Sequence, residues 1–238
     1  MRLLDKLITK SVKRKEFLSK DNIKIQDNGR IKVRPFITIS RESGSGGRPI
    51  AEAVAKSLGF KLYNKNLIEL IAKKAKKRKA LIASLDEKDR GFVTDLVHSL
   101  LNPDYVSEQA YIKNLCKVVL SVARKGNCVI LGRGGNFITN NYGGLHIRVA
   151  APFLVRAGYT SQYEGYTIYE ARERMEKYDK KRKEFIKQYF GKNPSNANYY
   201  DLVINTTYLG VEEARDIIIE AFKKKFPDWR KYKRRGKK

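Results

Sequence analysis

Cysteine, histidine and acidic residues are all scarce in this 238-residue chain, which has two Cys and two His. Cys116 falls in a helical pattern and Cys128 in an apolar, strand-like run. Neither suggests a disulfide framework, and both are expected as reduced core residues. Neither histidine lies near a cysteine pair, which excludes the common zinc spacings. No apolar run approaches the ~20 residues of a membrane-spanning helix. The amino terminus also lacks the continuous apolar stretch of a secretory signal. These absences point to a cytoplasmic protein. The shortage of acid is the strongest bias: 25 Asp+Glu stand against 51 Lys+Arg, a net charge of +26. A field of that sign draws phosphates, nucleic acid or anionic membrane, and does not constrain the fold.

What is present is enough for one sizeable core, since hydrophobic residues make up 42%. Residues 1–34 read as a basic arm, with Leu3, Leu4, Leu7, Ile8 and Leu18 loosely on one helical face. From Pro35 the pattern alternates strand and helix. FITIS (36–40) is a short β-rich run, and RPIAEAVAKSLG (48–59) a helix with Pro49 in its first turn and Gly59 as its stop. FKLYN (60–64) is a second strand, and 65–79 and 86–125 are helical, broken near Asn102-Pro103. NCVILG (127–132), LHIRVAAP (145–152) and YDLVINTT (200–207) complete five strands. Residues 167–190 form a charged helix, 211–226 an amphipathic one, and 227–238 a basic, unstructured tail. Five short strands alternating with helices predict a parallel sheet covered on both faces, with ligands beyond the carboxyl ends of the strands.

One stretch carries the functional question. ISRESGSGGRPI (39–50) joins a strand to a helix through Gly44, Gly46 and Gly47. Such a loop turns backbone N–H groups toward one point and adds a helix dipole there, which makes an anion cradle. The strict phosphate loop is GxxxxGK[ST]. With Gly47 as its last glycine, Glu42 replaces the first glycine, Arg48 the lysine and Pro49 the hydroxyl. The dinucleotide pattern GxGxxG fails at Pro49. By spacing, a tight structural turn and a phosphate cradle both stand. Arg48 is still a cation that can fork onto phosphate oxygens. The missing hydroxyl is the greater loss, because it normally holds Mg²⁺; Ser43, Ser45 and Glu42 are the substitutes at hand.

ISRESGSGGRPIAEAVAKSLGFKLYNKNLIE resembles the cytidylate kinase-like family, and later segments resemble it in order over about 36–222. CVILGRGGNFI (128–138) resembles the strand whose Gly-Arg holds the acceptor phosphate, with Arg133 at that position. HIRVAAPFLVRA (146–157) resembles the next strand and its Ala-Pro turn, with Arg156 opening the lid. YDKKR (178–182) resembles the lid's Asp-x-x-Arg, which implies Asp179 and Arg182 near the nucleotide. The family's strand-end Tyr-Asp-Lys is here Tyr63-Asn64-Lys65, and no arginine follows within Leu67–Leu70.

The resemblance implies a three-layer α/β/α P-loop NTPase-like domain over 35–226 with a five-stranded parallel sheet. Helical insertions would serve as acceptor site (about 80–125) and lid (about 158–192). It implies ATP and Mg²⁺ as cofactors and transfer of the γ-phosphate to a nucleoside monophosphate, CMP or dCMP in preference. Ser43, Gly44, Ser45, Gly46, Gly47 and Arg48 would hold the donor. Asn64, Arg133, Asp179 and Arg182 would hold the acceptor, with Arg48, Arg133 and Arg182 neutralising charge during transfer. Arg172 and Arg174 are further lid cations that cannot share a helix face. Tyr159, Tyr163, Tyr166 and Tyr169 would stack on a base or cover a helix. No residue is assigned to a protein-bound metal.

The alternative is a P-loop protein without transfer activity that binds nucleotide or nucleic acid. It draws on the missing lysine and hydroxyl and on basic runs at 73–79 and 223–238 that a small-substrate kinase does not need.

Overall fold

The computed structural model describes residues 24–25, 31–32, 34–66 and 108–232. The amphipathic helix expected near the amino terminus, the helices expected between 67 and 107, and residues 233–238 lie outside the described residues. Strands β1 (Lys24–Ile25) and β2 (Ile31–Lys32) form a small antiparallel pair.

The main sheet has five strands: β3 (Phe36–Arg41), β4 (Lys61–Tyr63), β5 (Cys128–Leu131), β6 (Leu145–Ala150) and β7 (Leu202–Asn205). Their order is β4-β5-β3-β6-β7, and every pairing is parallel. The expected sheet is therefore found, with the glycine-loop strand at its centre.

Alternation along β3 shows why both faces are apolar. Ile37 and Ile39 point into one core with Val129, Leu131, Ile147 and Val149. Phe36 points the other way, with Cys128 and Ile130. Each such buried side chain contributes roughly 1.5–3 kcal/mol, and the strands are too short to hold without helices on both sides.

On the first face lie α1 (Gly47–Leu58) and α6 (Val211–Lys225). Ile50, Ala51, Val54, Ala55 and Leu58 form the stripe of α1 that meets the sheet. In α6, glutamates at the start and lysines at the end suit the helix dipole, and Ala214, Ile218 and Phe222 are buried. The chain beyond α6 differs from the expected loose tail. Trp229 is buried, edge-on to Phe60 and Phe222. An indole is worth enough in buried area to hold a lysine-rich segment against the core.

The second face carries α2 (Glu108–Lys125), the short α3 (Gly135–Ile138) and the far end of α5 (Ile168–Phe190). A helix absent from the sequence reading, α4 (Phe153–Glu164), follows β6 directly. Its apolar positions make no stripe, and Gly158 sits within it, so periodicity gave no signal. Thr167 and Glu170 form a capping box that separates α4 from α5.

Candidate active site

The chain leaves β3 for β4 on one side of the sheet and β6 for β7 on the other. The crevice at such a reversal is where open parallel sheets bind ligands. Here it lies between the loop after β3 and the turn after β6. Glu42 N–H donates to Val149 O at 3.1 Å, and Ser45 Oγ donates to Glu42 O and Val149 O at 3.0 and 3.2 Å. Thr206 Oγ1, just past β7, donates to Ser45 O at 3.1 Å.

Gly44 and Gly46 both take the left-handed conformation, with φ of 74° and 73°. Gly44 also passes close to α4, where a Cβ would come 2.7 Å from Arg156 O. Gly46 is the N-cap of α1 and has no side-chain cap. The helix thus opens at Gly47, one residue earlier than expected. Counting back from Gly46 moves the frame: Arg41 stands where the loop's first glycine would be, Gly47 where the lysine would be, and Arg48 where the hydroxyl would be.

Five charged side chains lock this loop to the elements around it. Glu42 receives a hydrogen bond from Arg148 Nη2 at 2.6 Å and one from Ala151 N at 3.3 Å, with Arg156 Nε 3.5 Å away. Arg156, buried in α4, donates to Ser43 O at 2.7 Å and to Ala151 O at 2.8 Å, and pairs with Asp179 at 2.6 Å. Asp179 of α5 accepts the Ser43 N–H at 2.8 Å and lies 3.6 Å from Arg182. Arg182 also reaches the Arg41 carbonyl at 3.4 Å, and burial holds its pKa below the ordinary arginine value.

The second turn, after β5, is strained. Gly132, Arg133 and Gly134 are left-handed in succession, with φ of 76°, 54° and 65°. For arginine that conformation costs about 1–2 kcal/mol. It aims the guanidinium over the Phe185 ring of α5, at 5.6 Å.

The structure therefore brings Ser43, Gly44, Ser45, Gly46, Gly47, Arg133, Asp179 and Arg182 to one end of the sheet. Ser45 serves the loop's own backbone and is buried. Arg48 stands apart: its side chain is 76% exposed and donates to Glu52 Oε1 at 3.0 Å, one turn along α1. Asn64 follows the carboxyl end of the edge strand β4, half-buried. Arg172 lies over the Phe153 ring, and Arg174 over the Tyr166 and Tyr178 rings. Tyr163 and Tyr169 are largely exposed. Tyr159 donates to Thr207 O at 3.4 Å. Sequence reasoning passed over Arg41 and Arg148; the signal was a cation at the last position of one strand and inside another, where solvent alone does not explain it.

The residues do not supply a protein cage for Mg²⁺. Among the described residues no three or more His, Cys, Asp or Glu cluster to hold a metal ion. The Ser45 hydroxyl donates to carbonyls, and the Glu42 and Asp179 carboxylates face arginines. Of the three proposed substitutes for the missing hydroxyl, Ser43 keeps a side chain without such a commitment.

Fold and site together define a three-layer α/β protein in which two glycine turns meet a cluster of arginines at one end of a parallel sheet. The profile of the cytidylate kinase-like family matches residues 36–208, and the chain belongs to that family. The cytidylate kinase of Sulfolobus acidocaldarius is 26% identical over 189 residues, covering 79% of this chain and 94% of that one. The cytidylate kinase of Pyrococcus horikoshii is 28% identical over 177 residues, covering 74% and 82%. A solved structure of an uncharacterized protein from Eubacterium ventriosum has a TM-score of 0.60 at 22% identity, covering 79% of this chain and 98% of that one; this likeness concerns fold alone. Among the described residues no helix is long and apolar enough to cross a membrane.

Proposed function

We propose that the protein is a nucleotide kinase that moves the γ-phosphate of ATP to a nucleoside monophosphate, with CMP or dCMP preferred. The observation that carries this reading is the facing of two glycine turns, at the ends of β3 and β5, across Asp179, Arg182 and Arg133. Phosphoryl transfer asks a protein mainly to align two phosphates and neutralise their charge. The backbone N–H groups of 44–47 would receive the donor phosphates, and Arg133 the acceptor phosphate. An acceptor oxygen then attacks the γ-phosphorus in line, the bond to the bridging oxygen breaks, and ADP leaves. Arg182 would offset charge at the transferring group. Mg²⁺ would come with ATP, held by phosphate oxygens and water.

The pyrimidine preference rests on the names of the archaeal relatives. The test is ADP formation from ATP and Mg²⁺ against a panel of nucleoside monophosphates. Turnover on one acceptor, with Arg133→Met raising KM for that acceptor by about tenfold or more, is the expected result. Absence of turnover on every acceptor, in protein that binds ATP, would reject it.

A second reading is a nucleotide- or nucleic-acid-binding protein without transfer activity. The outward, Glu52-paired Arg48 and the net charge of +26 favour it. Binding to nucleic acid would then weaken steeply with salt, whereas one nucleotide in a cleft would weaken less.

A further inference from the structure

The end of the central strand carries a cation to which the transfer scheme above gives no role. Arg41 is the last residue of β3, and two glycines make way for its side chain. A Cβ on Gly47 would collide with Arg41 Cβ, and a Cβ on Gly132 would collide with Arg41 Nη1. The side chain therefore runs from the first turn of α1 to the β5 turn, bridging the two glycine loops at the mouth. Among the described residues no hydrogen bond or ion pair holds its guanidinium.

Its surroundings are unfavourable for a cation. Burial, then Arg182 and Arg133, push its pKa down to about 10, and only Asp179 opposes them. Asp179 is itself shared between Arg156, Arg182 and the Ser43 N–H. Arg41, Arg156 and Arg182 thus share one carboxylate. A largely buried cation without a partner is costly, and an arriving oxyanion that supplies the missing acceptors would relieve the cost. The planar fork of arginine matches phosphoryl oxygens on two sides at once.

We propose that Arg41 is a phosphoryl-binding residue, which with Arg133 and Arg182 grips a polyphosphate where the 42–47 loop meets the 132–135 turn. It supplies from the strand end the charge that a phosphate loop ordinarily takes from a helix lysine. As a role in transfer this rests on the kinase reading; as an anion site it does not.

The test uses the full chain and inorganic tripolyphosphate, then ATP, by calorimetric titration at about 0.3 M salt, where diffuse attraction to the basic surface is screened. Arg41→Met weakens the one-to-one site by about 10-fold to 100-fold, as expected for a charge-assisted contact. The ligand-free variant melts no lower than wild type, because an unpartnered buried charge has gone. Arg41→Lys keeps the charge without the fork and loses roughly threefold to tenfold, which decides the matter if the methionine variant does not fold.

Unchanged tripolyphosphate affinity in the variants would overturn the proposal, as would a lower melting point at unchanged affinity, the mark of a purely structural arginine. A wild-type chain with no one-to-one tripolyphosphate site would overturn it too. Arg41-dependent binding without turnover on any acceptor would sink the kinase reading and leave this site standing. Turnover indifferent to Arg41→Met and Arg41→Lys would overturn its role in transfer and leave the kinase reading standing.

Discussion

Glu42 stands at the head of the glycine loop after β3, where a ligand-binding role and a structural one predict different outcomes. Its carboxylate faces Arg148 at 2.6 Å and Arg156 at 3.5 Å, and both arginine side chains are 8% exposed. In Glu42→Ala, Arg156 keeps Asp179, Ser43 O and Ala151 O. Arg148 keeps only the Tyr200 ring, 5.9 Å away, among the described residues. The loss is therefore centred on Arg148. Breaking a buried pair from one side costs about 3–5 kcal/mol. The Glu42 side chain is 25% exposed, so water softens the effect and the lower figure, about 3 kcal/mol, applies. In a chain of this length that lowers Tm by about 6–12 °C. A double-mutant cycle of Glu42→Gln with Arg148→Met, followed by urea unfolding, isolates the pair, and a coupling of about 2 kcal/mol is expected. A coupling below about 0.5 kcal/mol would refute the reasoning. Full stability in Glu42→Ala with ATP binding lost would show instead that the carboxylate serves the ligand.

Three further outcomes follow from packing and burial. Burial holds the His146 imidazole down to about 4, with Asp201 opposing and Lys225 assisting. The unfolded chain then takes up the proton first, so stability is full above about pH 6.5 and falls towards pH 4 by up to roughly 3 kcal/mol. His146→Gln should flatten that part of the urea-midpoint profile, and an identical slope in the variant would disprove it. Trp229→Ala should cost about 3 kcal/mol by urea unfolding, because the indole fills the corner between Phe60 and Phe222; a loss under about 1 kcal/mol would mean that the segment is peripheral. Thr167→Ala removes the N-cap of α5 and should cost about 1 kcal/mol, while Thr167→Ser leaves it nearly intact; equal losses in the two variants would place the effect outside the cap.

The sheet was legible because its strands are short apolar runs set between glycine stops, whereas the central place of β3 came only with the strand order. The frame of that loop was misread by one residue. Pro49 marks a helix start so strongly that Gly46, whose left-handed φ actually opens α1, passed as one glycine among three. Arg48 was consequently given a role that its outward pairing with Glu52 does not reflect. Arg41 fell just past the expected strand, FITIS (36–40), and drew no notice. Only the third dimension shows Gly132, 91 positions along the chain, yielding space to it. Asp179 and Arg182 came from likeness to a known motif. A stripe also marks them: Ala171, Met175, Asp179, Arg182, Ile186 and Phe190 lie on one face of α5, and only the middle pair is polar. Trp229 was hidden by the lysines around it, because composition averages away a single large side chain.

That stripe makes α5 a mechanical part. The helix has 23 residues and is about 34 Å long. It is seated in oil at both ends, by Ala171 and Met175 at one and by Ile186 and Phe190 at the other. Asp179 and Arg182, the two charges of that stripe, ride at mid-span on the same rod, less than one turn apart. The carboxylate that accepts the Ser43 N–H and the guanidinium that reaches the Arg41 carbonyl therefore have one backbone support. A displacement of the whole helix would therefore break the Asp179 contact to Ser43 and the Arg182 contact to the Arg41 carbonyl together.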